Sequence, residues 1–260
     1  MEHVTHLPLD PPLLLLTRPP REARASARAL KGRGIESLLM PLQYTRKARL
    51  TPALQNALRW AEGAEIQIFV SRASVAAACA LGASAVAAAV LRFAIGAATA
   101  EALGRHGHSC IAAPAGAEDS EALLNLPAMS AVAGRHVALW IAPGGRQHLA
   151  KTLCARGAEV HAIAAYQRVN LYPRPSQLMR LKESRERLVL TATSATLVAR
   201  LAHTLRAHAL DDLMLRPLIV ASERIALAAE ALGFERVYIA RGASPHALVE
   251  AIESLFPAPP

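Results

Sequence analysis

Aromatic residues are scarce in this 260-residue chain, at 4% of the total, and charged residues supply only 19%. So few rings offer little platform for base stacking, which argues against a reader of single-stranded nucleic acid. Cysteine is nearly absent. Cys79, Cys110 and Cys154 stand at unrelated spacings, which suits neither a disulfide framework nor a zinc-ligand pattern, and a reduced, cytoplasmic setting is expected. Ala73 to Leu91 holds no charged residue over nineteen positions. That stretch is mostly Ala with Ser and Gly, whereas bilayer insertion is driven chiefly by Leu, Ile, Phe and Val, so buried helices of an α/β domain are expected there. Leu13 to Leu16 is too short for a secretory leader and is ended by Thr17-Arg18-Pro19-Pro20. Gly144-Gly145-Arg146 is too short for a phosphate loop ending in Lys-Ser/Thr, and no dinucleotide fingerprint of three spaced glycines follows the first strand. The ten histidines are dispersed, and no metal site is expected, even where His106 and His108 lie near a helix end.

Apolar residues are plentiful, at 53%, and the length fits one large or two ordinary domains with ample core. The formal charge is +9 and the pI about 10.2. Such a balance suits nucleic acid, an acidic membrane surface or a polyanionic small molecule, or simply solubility. The cations are scattered, and only Arg21 to Arg33 and Arg180 to Arg187 are locally dense.

The chain also repeats itself, and the second copy starts at a different point in the cycle. Ile66 to Ser71 runs into an Ala-rich helical stretch, as Leu188 to Ser194 runs into another. Phe93 to Ala100 leads to a helix ending at Gly107, and Leu218 to Ser222 to one ending at Gly233. Leu13 to Pro41 and Val137 to Ala164 share strand, turn, helix, an Arg-Gly exit and a second strand. Short β-rich runs alternating with helices predict an α/β fold with largely parallel sheets. Strands are expected near 13–17, 36–40, 66–71, 92–95, 109–112, 136–141, 159–163, 187–191, 217–220 and 235–239. Gly34, Gly107, Gly157 and Gly233 are expected to close helices, and Ser244-Pro245 to open one. The permuted order predicts a discontinuous outer lobe, 1–40 with 172–260, and an inserted lobe, 47–163. The crossings at 41–46 and 164–171 read as extended, able to pair as an antiparallel ladder and act as a hinge. Two kindred lobes imply a cleft, where ligands bind.

In parallel sheets, ligands meet the carboxyl ends of the strands and the helix starts that follow. Those positions hold Thr17, Arg18, Ser71, Arg72, Ser74, Gly96, Thr99, Gly145, Arg146, Thr193, Ser194, Ser222 and Arg224. Hydroxyls, glycines and arginines at helix N-termini bind anions, and arginines grip carboxylates bidentately. Tyr166 is the weakly acidic side chain that the topology puts on a crossing, with Tyr44 on the other.

Taken in order, Leu14-Leu15-Leu16-Thr17-Arg18-Pro19, Val70-Ser71-Arg72-Ala73-Ser74-Val75, Ile95-Gly96-Ala97-Ala98-Thr99-Ala100, Asp119 to Leu124, Gly144 to Leu149, Tyr166-Gln167-Arg168, Thr193-Ser194, Ala221 to Ala226 and Ser244 to Leu248 resemble the uroporphyrinogen-III synthase family. The resemblance covers nearly the whole chain. It implies two α/β lobes with flavodoxin-like layers, a two-stranded antiparallel linker, and neither metal nor organic cofactor. The implied reaction is cyclisation of hydroxymethylbilane, a linear tetrapyrrole bearing eight carboxylates, with inversion of the terminal ring and loss of water. Tyr166 matches the family's linker tyrosine and would assist departure of the hydroxyl, and Thr99 matches a cleft threonine. The implied partners are the bilane and the upstream bilane-forming enzyme, without nucleic acid or membrane, for a monomer. The family's usual Arg-Gly before Gly144 is replaced by Ile141-Ala142-Pro143, Ser222 stands in the place of Gly96, and Ile225 in that of Thr99. A non-catalytic tetrapyrrole-binding or regulatory protein of the same fold is the competing expectation.

Overall fold

The computed structural model describes residues 11–88, 91–114, 120–145 and 147–256. In chain order the elements are β1 (Leu13–Leu16), α1 (Pro20–Lys31), β2 (Glu36–Leu39), β3 (Gln43–Lys47), α2 (Pro52–Glu62), β4 (Ile66–Phe69), α3 (Arg72–Leu81) and α4 (Ala83–Ala88). There follow β5 (Leu91–Ala94), α5 (Ala97–Arg105), β6 (Ile111–Ala112), α6 (Ser120–Leu124), α7 (Pro127–Ser130), β7 (His136–Trp140), α8 (Gln147–Ala155) and β8 (Glu159–Ile163). The chain closes with β9 (Tyr166–Asn170), α9 (Pro175–Glu183), β10 (Leu188–Ala192), α10 (Ala195–Ala207), β11 (Leu218–Val220), α11 (Glu223–Glu230), β12 (Val237–Ile239) and α12 (Pro245–Leu255).

The chain divides into two units. An outer unit comprises the described parts of Met1–Tyr44 and Val169–Pro260, and an inserted unit comprises those of Thr45–Arg168. The outer sheet runs β12-β11-β10-β1-β2 and the inserted sheet β6-β5-β4-β7-β8. All neighbours in both are parallel. The two orders are the same once permuted: β10 occupies in one sheet the central place that β4 occupies in the other, and β1 the place of β7.

Strand composition follows from that placement. In β1 all four leucines are buried; Leu13 and Leu15 join the apolar cluster under α10 and α11, while Leu14 and Leu16 join the one that includes α1 and α12 residues. A strand covered on both faces has no solvent side, so its sequence does not alternate. Each such burial contributes about 1.5–3 kcal/mol. In the inserted unit Ile66, Ile68, Val137 and Leu139 pack on Leu123, Leu149 and Leu153, and Phe69, Ala94 and Trp140 pack with the residues of α2 and α3. Gln67 is the polar exception in β4. Its buried amide donates to the Ala61 carbonyl at 3.1 Å and accepts from Trp140 Nε1 at 2.9 Å, so both ends are satisfied.

The crossings β3 and β9 form their own two-stranded sheet. Leu171 N–H donates to Leu42 O, and Ala48 N–H to Ala165 O, each at 2.9 Å, which sets an antiparallel register. Arg200 of α10 donates to both Leu42 O (3.0 Å) and Leu171 O (3.3 Å), stapling the two crossings where they enter the outer unit.

The four glycines expected at helix exits, Gly34, Gly107, Gly157 and Gly233, all have positive φ. In each case the next residue's N–H reaches back five positions, as Ile35 does to Leu30 O at 3.0 Å, which is a Schellman closure. The same closure after α10 uses Ala209, at φ 52°, the one non-glycine in that region among the described residues. The uncharged stretch from Ala73 resolves into α3 and α4 on either side of Gly82, and among the described residues no helix is long and apolar enough to cross a membrane.

Candidate functional site

Parallel strands gather the expected residues of each unit at one sheet edge. In the inserted unit Ser71 follows two residues after the end of β4, and its extended backbone makes it the N-cap of α3; its hydroxyl accepts from Ser74 N–H at 3.1 Å. Ser74, fully buried, closes a capping box: its hydroxyl accepts from Ser71 N–H and donates to Ser71 O at 2.6 Å. The Tyr166 hydroxyl, entering from β9, lies 3.0 Å from Ser71 Oγ, while its ring is buried in the core to 2% exposure. Arg72 opens α3 and is exposed. Beside it Gly96 is the N-cap of α5, and Thr99 is buried one turn in, its N–H on Gly96 O at 3.0 Å. Gly145 N–H donates to Ala142 O at 2.9 Å, and with Pro143 and Gly144 (φ 72°) this fits a type II turn. The turn takes the place of the Arg-Gly that the resemblance called for. Arg146 lies outside the described residues, as does Asp119.

In the outer unit the same positions recur. Ser194 is the N-cap of α10, accepting from Leu197 N–H at 3.2 Å. Ser222 is the N-cap of α11, with Ile225 N–H on its carbonyl at 3.0 Å, the counterpart of the Gly96–Thr99 bond. The Ser222 side chain makes no capping bond, so its oxygen is not committed to the helix N–H groups. Arg224 is exposed on the first turn of α11. Thr17 is fully buried and donates to Thr191 O at 2.6 Å, and Thr191 donates in turn to Leu15 O at 2.6 Å, tying β1 to β10 at the rim. Arg18, also buried, donates to Ser26 Oγ at 3.0 Å.

Arg18 and Thr193 line a shallow depression with Gly242, Ala243 and Ser244. That last segment was not among the expected rim residues. Its signal was the helix start Ser244-Pro245, whose hydroxyl caps Ala247 N–H at 3.0 Å; nothing local in the sequence joins it to Arg18.

Chemically the two edges are donor-rich and poor in nucleophiles. The first N–H groups of α3, α5, α10 and α11 have no intrahelical acceptor, and each helix carries its positive end there. Burial raises the Cys79 and Cys110 thiols above the usual range, and the same cause, followed by the nearby Arg92, lowers His108. Among the described residues no three or more of His, Cys, Asp and Glu cluster as metal ligands.

Two permuted parallel α/β units, each with helix N-termini and hydroxyls at the carboxyl edge of its sheet and joined through paired crossings, define the fold class. The family model described as uroporphyrinogen-III synthase HemD matches residues 24–250, and the chain belongs to that family. It is 37% identical over 163 residues to the uroporphyrinogen-III synthase of Salmonella typhimurium and 34% identical over 163 residues to that of Escherichia coli K12. Each match covers 62% of this chain and 66% of the relative, just under two thirds of its length. In fold the chain is similar to a mutant uroporphyrinogen III synthase from Thermus thermophilus, with a TM-score of 0.63 at 22% identity over 94% of this chain and 98% of that one.

Proposed function

We propose that this chain is a uroporphyrinogen-III synthase: a cyclising lyase that converts hydroxymethylbilane into uroporphyrinogen III with inversion of the terminal pyrrole ring and loss of water. Family membership sets the reaction class. The observation that carries the reading in the molecule itself is the doubled rim, with N-caps Ser71 and Ser194, and Gly96 and Ser222, at matching carboxyl edges of two sheets.

An octacarboxylate offers many anions to such donors. Arg18, Arg72, Arg146 and Arg224, with the N-cap hydroxyls, bind its acid arms and hold one folded conformer. Restricting a reactive chain to the productive geometry is itself a large catalytic contribution. Tyr166 lends a proton to the departing hydroxyl, which leaves as water as its C–O bond breaks; the ring nitrogen returns a proton to the phenolate, and the ring with its methylene becomes an electrophilic azafulvene. Attack on it by the substituted carbon of the terminal ring gives a spiro intermediate, which reopens and closes with that ring inverted. Without enzyme the same electrophile closes to the type I isomer. The chain works as a monomer in the cytoplasm, receiving bilane from the enzyme that forms it.

Incubation with freshly generated bilane, followed by oxidation and chromatography of the isomers, tests the reading. Type III product is expected, and a product that stays type I rejects it.

A further inference from the structure

We propose that the outer face of α1 is an electrostatic guide that draws the polycarboxylate substrate onto the rim of the outer unit, an inference that rests on the synthase reading above. α1 buries Ala23, Ser26 and Leu30. Arg21, Arg24, Arg28 and Lys31 are all exposed and, at spacings of three and four, form one stripe on the opposite side. None of the four has an ion pair or side-chain hydrogen bond among the described residues. Several arginines elsewhere are engaged by the protein: Arg105 with Glu101, Arg180 with Glu36, and Arg200 and Arg206 with main-chain carbonyls, as is Arg33 just past α1 with Glu253.

Arg28 and Lys31 lie in the last turn of α1, where cations favour the helix, but the N-terminal half of the stripe does not serve it. Arg21 lies in the first turn, where the helix end is already positive. Arg21 with Arg24, and Arg24 with Arg28, are like-charge neighbours that weaken a helix. Arg21 and Arg24, which cost local stability and pair with nothing among the described residues, call for an external partner. Its position names one: α1 starts two residues after Arg18, at the carboxyl edge of β1, and runs away from that edge. Charge complementarity to an eight-carboxylate chain is direct.

Range separates this from docking along the whole stripe. The helix rises about 1.5 Å per residue, so Arg28 and Lys31 lie roughly 10–15 Å beyond the first turn. Screening at physiological salt sets in at about 8 Å. Guidance to the rim therefore falls to Arg21 and Arg24, whereas a nucleic acid or an acidic protein lying along α1 would use all four.

The experiment is stopped-flow association of uroporphyrin III, an octacarboxylate, with the full chain and its R21E/R24E and R28E/K31E variants. At about 0.15 M salt, where the screening length is about 8 Å, R21E/R24E is expected to associate roughly 10-fold more slowly with an unchanged off-rate, converging to within about 2-fold of wild type near 0.5 M. R28E/K31E should stay within about 3-fold throughout. Thermal melts should put R21E/R24E no lower than wild type, since it relieves first-turn repulsion, and R24E alone serves if the double variant does not fold. Equal on-rates at about 0.15 M salt, no measurable association, or equal losses from both pairs accompanied by duplex DNA binding would each overturn the guide. The isomer assay on wild type is independent: type I product alone rejects the synthase reading, while the on-rates still decide whether α1 guides polycarboxylates.

Discussion

The Tyr166 hydroxyl sits 3.0 Å from Ser71 Oγ, joining a crossing strand to the N-cap of α3 across 95 positions of sequence. The same serine already caps the helix through Ser74 N–H. One hydroxyl thus serves both the head of a helix and the one phenol assigned to proton transfer.

Tyr166→Phe keeps the buried ring and removes only that bond and the proton. It is expected to cost about 1 kcal/mol of stability and to lower kcat by at least roughly 10-fold. Ser71→Ala breaks the same hydrogen bond but keeps the phenol, so its kcat should fall less. Urea unfolding and isomer-resolved kinetics on both variants check this; equal kcat losses would mean the tyrosine acts only by holding α3.

Ser194 and Ser222 are the N-caps of neighbouring helices α10 and α11, but only Ser194 uses its hydroxyl there. Ser194→Ala should destabilise by about 1 kcal/mol. Ser222→Ala should leave the unfolding midpoint unchanged and weaken polycarboxylate binding, read by porphyrin fluorescence titration.

Gly82 joins α3 to α4 where a Cβ would come within 2.8 Å of Leu58 Cδ2 and 2.9 Å of Trp140 Cη2. Trp140 is fully buried, stacked on Phe69 and bonded to Gln67, so it cannot yield. Gly82→Ala is expected to cost about 1–3 kcal/mol by overpacking, with a lower Tm in calorimetry.

Ala209 takes the left-handed conformation that glycine fills at four equivalent helix exits. Replacing it with glycine removes the Cβ strain, and a gain of about 0.5–1 kcal/mol is expected at equilibrium unfolding.

Hydrogen bonds from Arg187 and then Arg180 hold the Glu36 carboxyl below its usual range. A depressed acid contributes stability above its unfolded value near 4.5 and loses it as pH falls through the lower folded value. Glu36→Gln should therefore unfold at lower urea than wild type at pH 7, and the gap should close in acid. The group is well exposed, so the gap is small.

Much of the architecture was legible because parallel strands buried on both faces must be apolar throughout. Leu13–Leu16 and Ile66–Phe69 announce themselves without alternation, and their repetition out of phase dictates two sheets of permuted order. Helix exits were legible for a similar reason, since glycine tolerates positive φ wherever it falls. At the rims local sequence reached its limit. Ser71, Ser194 and Ser222 read alike, yet one caps its helix and also meets a tyrosine, one only caps its helix, and one makes no capping bond. Thr17 reads as a rim hydroxyl, but its donor is spent on Thr191, 174 residues away.

Backbone conformation and burial are therefore written in neighbouring residues, because sterics and the hydrophobic pattern act over a few positions. Tertiary structure alone decided which hydroxyl is committed and which is open, which arginine is stapled to a carbonyl and which faces water. A hydrogen bond depends on a partner within about 3 Å, and the fold draws that partner from anywhere along the chain.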